Sequence, residues 1–166
     1  MRASNFLEEL VAEWYDFKGF FVKTNIPYGI GARGGIKGEI DILAYNPKDK
    51  CICHIEVSSD SDSWDNRIEK FKKRFNHASA FYDKILPFNY EQVKKIAILS
   101  FGEPLSKNRE LFEQSTKARL ITLTAFFREI KSTLENIDPN KQAIPESYLL
   151  LRTIQFFIHH TWFKKE

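Results

Sequence analysis

The chain has 166 residues, of which 43% are hydrophobic and 28% charged, with 15 phenylalanines and a formal net charge of +3 at neutral pH. That size fits one domain, or one domain with a short helical extension, and lets well over half of the extended chain's surface be buried. The composition is too apolar for a disordered tail and too often interrupted by charge for a membrane span, and the mild positive balance is by itself no sign of nucleic acid.

In chain order, Phe6, Leu7, Leu10, Val11, Trp14 and Tyr15 recur at intervals of three and four. This predicts an amphipathic helix over 5–17, with Ser4 as its N-cap and Gly19 at its end. No secretory or transit signal is visible in the opening residues, so a cytoplasmic protein is expected. Residues 20–24 read as a short strand. The run 26–38 holds Pro27, five of the seven glycines, Arg33 and Lys37, and reads as a flexible basic loop. Two strands, 39–45 and 51–58, joined by a turn containing Pro47, predict an antiparallel hairpin. Cys51 and Cys53 share one face of the second strand, are not placed for an unstrained disulfide, and read as small core residues.

Beyond the hairpin, Ser59, Asp60, Ser61 and Asp62 predict a turn and helix cap, with Asp60 a secondary metal candidate. Ile68, Phe71, Phe75, Ala78 and Tyr82 mark a long helix whose other faces carry Arg67, Lys70, Lys72, Lys73 and Arg74. A buried strand over 93–100, a short helix over 105–113, an edge strand over 119–123 and helices over 124–134 and 146–162 complete the reading. The order helix, three strands, helix, strand predicts an α/β fold with a mixed central sheet flanked by helices. Residues 1–125 form its core, and 126–166 form a C-terminal helical extension packed on the same domain.

Strand alternation puts Glu39, Asp41 and Leu43 on one face of the first hairpin strand, and His54, Glu56 and Ser58 on one face of the second. A register that joins these faces brings Asp41 and Glu56 together. Two neighbouring carboxylates repel each other unless a divalent cation neutralises them or one stays protonated, and oxygen ligands of this kind suit Mg²⁺ or Mn²⁺. The plainer reading places both at solvated strand ends.

The segment Gly38-Glu39-Ile40-Asp41-Ile42-Leu43-Ala44, followed by His54-Ile55-Glu56-Val57-Ser58, resembles the core motif of the PD-(D/E)XK nucleases, the superfamily of restriction endonucleases, junction resolvases and many repair nucleases. The resemblance covers roughly residues 5–100. It implies a restriction endonuclease-like fold in which Asp41, Glu56 and the Val57 carbonyl ligate Mg²⁺ (or Mn²⁺). Glu8 on the first helix, rather than Glu9, supports the site by holding a metal-bound water or completing the shell. The implied activity is metal-assisted hydrolysis of phosphodiester bonds in DNA, as an endonuclease.

Where the family pattern asks for Lys, this chain has Ser58. Three readings follow: the charge comes from elsewhere, with Lys72 among Lys23, Lys70 and Lys73 as candidates; Ser58 suffices with a well-placed water; or the domain is a catalytically inactive one that binds nucleic acid or serves in assembly. Arg33, Lys37, Arg67, Lys70 and Lys73 are expected to contact phosphates. Many nucleases of this fold act as homodimers, a role the terminal aromatics Phe156, Phe157, Trp162 and Phe163 would fit as readily as core packing. A third class is an α/β protein that matches the motif by coincidence.

Overall fold

The computed structural model describes residues 5–100 and 103–162. The first helix, α1 (Phe6–Phe17), begins one residue later than the predicted cap allows. Asn5 in extended conformation accepts hydrogen bonds from the Leu7 and Glu8 amides through its side chain, whereas Ser4 lies outside the described residues. The helix ends in a Schellman turn. Gly19 at φ 87° donates to Asp16, and Phe20 donates to Tyr15 while its ring packs edge-on against Tyr15. Only glycine adopts that backbone without cost.

Five strands follow: β1 (Phe21–Ile30), β2 (Ile36–Asn46), β3 (Cys51–Ser58), β4 (Gln92–Leu99) and β5 (Arg119–Thr122). They form one sheet in chain order, antiparallel through β1, β2 and β3 and parallel from β3 to β5. Between β3 and β4 lie α2 (Trp64–Ser79) and the short α3 (Tyr82–Ile85); α4 (Ser106–Thr116) links β4 to β5. The chain closes with α5 (Leu123–Leu134), α6 (Leu149–Phe157) and a π-helical turn at Ile158–Trp162. Ser63, not the preceding acidic run, caps α2.

The sheet separates two apolar layers. On one side Leu7, Val11 and Trp14 of α1 join Ile130 and Leu134 of α5 and Leu151 of α6 over Ile42, Ile55 and Ile98. On the other, Phe71, Phe75 and Ala78 of α2, Tyr82 of α3 and Phe112 of α4 cover Leu43, Ile52, Ala97 and Leu99. β3 is buried along its whole length, as expected for a central strand covered on both faces.

The predicted loop over 26–38 is instead the distal half of a β-ribbon, paired as far as Ile30↔Ile36. Its glycines answer to packing as well as to turning. A Cβ on Gly38 would meet the Tyr28 hydroxyl at 2.5 Å, so Gly38 makes room for the ring that crosses it. Pro27 is tolerated because β1 is an edge strand. The ribbon turns over at Asn25, whose φ is 50°: Val22 packs on the α1 side, whereas Ile26 and Tyr28 pack on the α2 side.

The C-terminal helices belong to the same core as α1. α6 has no side-chain cap of its own; the buried Glu13 of α1 accepts from the Leu150 and Leu151 amides at 3.3 and 2.9 Å. A carboxylate there satisfies helix-end donors and complements the helix dipole. Glu13→Ala is expected to lower unfolding free energy by about 1–2 kcal/mol, read from urea midpoints, with the slope of the transition unchanged.

Candidate functional site

The β2–β3 ladder runs from Asn46↔Cys51 to Ile42↔Ile55 and stops there. The next opposed position in that register is Asp41 with Glu56. β3 continues alongside β4 as far as Ser58↔Leu99, so the sheet splits just where the two acids stand. In the split the Val57 N–H donates to Asp41 Oδ2 at 2.8 Å. The Asp41 carboxylate thus takes the place of a strand carbonyl and is fixed by it.

Glu56 is fully buried and Asp41 nearly so. Both are faced by Arg74 of α2, whose Nη1 lies 2.7 Å from Glu56 Oε2 and 3.5 Å from Asp41 Oδ2. Helical phase explains the meeting. At about 100° per residue, Arg74 lies about 60° from the buried stripe of Phe71, Phe75 and Ala78, on the flank it shares with Arg67 and Lys70. Lys72 lies about 100° round on the other flank and is exposed. It lines a separate hollow between α2 and α4 with Ile68, Asn76 and Leu111, so the cation beside the carboxylates is Arg74 and not Lys72. Lys23 is also elsewhere, donating to the Ile85 carbonyl at 3.0 Å.

The remaining Glu56 oxygen is taken by His54, with Nε2 to Oε1 at 2.7 Å; His54 Nδ1 meets the Tyr82 hydroxyl at 2.6 Å. Burial pushes His54 down to about 3, so it is neutral and the contact with Glu56 is a hydrogen bond, not an ion pair. With Glu56 ionised, Nε2 carries the hydrogen and Nδ1 accepts from Tyr82.

Burial raises Asp41 to about 7, with the Glu56 charge adding to it and the Val57 amide and Arg74 opposing. Glu56 also rises to about 7 by burial, against the pull of Arg74. Glu8 is buried on α1, receives a hydrogen bond from Asn5, and adds negative potential at Asp41, whereas Glu9 is exposed. Glu8, Asp41 and Glu56 therefore form one field of negative charge, and Arg74 is the cation set against it.

Ser58 donates to Asp60 Oδ2 at 2.6 Å, and Lys70 donates to the same oxygen at 2.5 Å. Arg67, buried and stacked on Trp64, donates to the Asp60 carbonyl and side chain. Although burial opposes it, the bonds from Lys70 and Ser58 hold Asp60 down at about 2. Asp60 is thereby neutralised as an anchor for the β3–α2 connection. Arg67, expected at a phosphate, is committed to that anchor.

Beside the carboxylates opens a cleft of about 280 Å³ lined by Tyr28, Lys37, Asp41, Lys73, Arg74 and His77 among others. Lys37 and Lys73 are exposed at its rim, and Arg33 is exposed at the ribbon tip. Among the described residues no group of three or more His, Cys, Asp or Glu side chains is placed to hold a metal ion. The pair offers two carboxylates, leaving main-chain oxygen and water to complete a shell, a sparse oxygen set that suits Mg²⁺ better than Zn²⁺ or Ca²⁺. Its one condition is that Arg74 yields the Glu56 oxygen it occupies. Arg74 is half-exposed and has solvent to move into.

Among the described residues, no helix is long and apolar enough to cross a membrane. No protein-family model, curated protein or solved structure matches this chain.

Because both carboxyls titrate above their ordinary values of 3.8 and 4.5, the folded state binds more protons than the unfolded chain up to about pH 7. This contribution to stability is present at low pH and is lost as pH rises through that window. His54, lowered from 6.5 to about 3, acts in the opposite sense, so the comparison is made against a variant that removes one acid and leaves His54 in place. The thermal midpoint of Asp41→Asn relative to the parent, without divalent ions, is expected to increase from about pH 4 to about pH 7 and to level off above that. A constant difference would place the titration at other groups.

Proposed function

We propose that this chain is a divalent-metal-dependent nuclease of the PD-(D/E)XK type that hydrolyses phosphodiester bonds in DNA, with Arg74 supplying the cation that the motif lacks at Ser58. One observation carries the reading: the β2–β3 ladder opens at an opposed, buried pair of carboxylates, Asp41 and Glu56, with a guanidinium between them. The element order and the parallel pairing of β3 with β4 are in keeping with it.

Asp41 and Glu56 would hold Mg²⁺ with the Val57 carbonyl, and the ion supplies Lewis-acid charge at the phosphate and an acidified water. His54, tied to Tyr82, keeps Glu56 in one orientation. The Val57 amide does the same for Asp41, so neither acid reorganises when substrate arrives. Arg74 exchanges its carboxylate partner for a non-bridging phosphate oxygen, and its planar donor set suits that oxygen as well as it suits Glu56. Glu8 accepts a hydrogen bond from the attacking water and draws its proton. Lys37 and Lys73 at the cleft rim hold neighbouring phosphates and position the strand.

A second reading has an observation of its own. Arg74 already neutralises Glu56, and a chain in which it does so permanently would be a nucleic-acid-binding domain without catalysis. Cleavage of duplex DNA in Mg²⁺ or Mn²⁺ separates the two. The nuclease is expected to lose all cleavage in Asp41→Ala/Glu56→Ala, and about 10²–10³-fold in Arg74→Ala, with partial retention in Arg74→Lys. Absence of cleavage by the parent in either metal, with DNA still bound, would establish the binding domain instead.

A further inference from the structure

We infer that the distal β1–β2 ribbon is a groove-reading element for duplex DNA, which places Ile30 and Ile36 in the major groove beside the point of cleavage. The inference rests on the nuclease reading only for the position of the scissile bond.

Past Ile42 the ribbon loses β3 as a neighbour, yet β1 and β2 stay paired to Ile30↔Ile36. Its base is anchored, since Tyr28 packs on Phe81 at 5.3 Å and Ile26 and Ile40 join the apolar layer under α2. Its tip is not covered. Ile30 and Ile36 are 83% and 67% exposed and, as a directly opposed pair, present two branched aliphatic side chains on the same side of the ribbon. Around them Gly31, Ala32, Gly34 and Gly35 carry almost no side chain. Gly34 and Gly35, at φ 83° and 77°, close a turn sealed by bonds between Gly31 and both of them. The result is a slim ribbon end with an apolar point.

Charge and size indicate what such an end meets. From residue 26 to 38 there is no acidic side chain, only Arg33 and Lys37 as charged groups. Lys37 and Gly38, next to Ile36 on β2, line the cleft with Asp41 and Arg74. A polyanion seated over the cleft is therefore led along the ribbon by positive charge. From Asp41 to Ile36 the strand spans about 17 Å, roughly five base steps of duplex DNA. The major groove of B-form DNA admits a two-stranded ribbon, whereas that of an A-form RNA helix is too narrow. The isoleucines then meet base edges and thymine methyl groups, and Arg33 and Lys37 meet the phosphates on either side.

Fluorescence anisotropy on the full chain carrying Asp41→Asn, which leaves the substrate intact, tests this with one duplex sequence made as DNA and as RNA. Ile30→Ser/Ile36→Ser is expected to weaken DNA binding at least tenfold with an unchanged salt slope. Arg33→Ala/Lys37→Ala should weaken it at all sequences and reduce the salt slope by about 2. Lys48→Ala, in the exposed turn at the far end of β2, should change nothing, and the RNA duplex should bind at least tenfold more weakly than DNA. Ribbon variants that bind like the parent, RNA bound as tightly as DNA, or a parent that binds no duplex would each overturn the inference. Ribbon-dependent binding by a wild-type chain that never cleaves would uphold it while refuting the nuclease. Cleavage with ribbon-independent binding would do the reverse.

Discussion

Placing Asp41 opposite Glu56 inside the sheet sets two desolvated negative charges against each other, and the surrounding structure is arranged to make that tolerable. A buried carboxylate without compensation costs several kcal/mol. Here the compensation is distributed: an amide from the split strand for Asp41, a neutral imidazole and a guanidinium for Glu56. Val57 and His54 come from β3 and Arg74 from α2, and His54 is held in turn by Tyr82 of α3, so the pair ties β2, β3, α2 and α3 into one polar junction at the point where the ladder opens. Both carboxyls remain raised despite these partners. At both acids burial outweighs these partners.

The apolar layers serve the same junction. Phe71 and Phe75 fix the rotation of α2, and with it the side of the helix from which Arg74 reaches the sheet. Tyr82 stands on a separate short helix after the break at Ala80 and Phe81, where its hydroxyl meets His54 Nδ1. On the opposite layer, the Asn5 cap sets the start of α1 and so the position of Glu8. Packing and polar geometry are coupled here: a change in helix rotation of a few tens of degrees would separate the charges that the core now holds together.

Much of this is legible in the sequence, for physical reasons that differ from residue to residue. Alternation in two short strands puts Asp41 and Glu56 on faces that can meet, and the turn between them supplies the register that joins those faces. The ribbon is not legible. Glycine and proline read locally as loop, whereas Gly38 is required by the ring of Tyr28 and Pro27 is permitted by an edge, both facts of tertiary structure. Arg74 lies between these cases. A search for an amine at the motif position passes over it, yet its phase relative to Phe71, Phe75 and Ala78 already ranks it closer to the sheet than Lys72. The bond between His54 and Tyr82 leaves no trace in either periodicity.

The two margins of the sheet also differ in what they offer another chain. β5 is only four residues long. β1, although longer, is interrupted by left-handed backbone at Asn25 and Gly29 and by a residue without an N–H at Pro27. Neither presents the unbroken row of donors and acceptors that a foreign strand needs. Both edges are therefore blunted against pairing with another sheet.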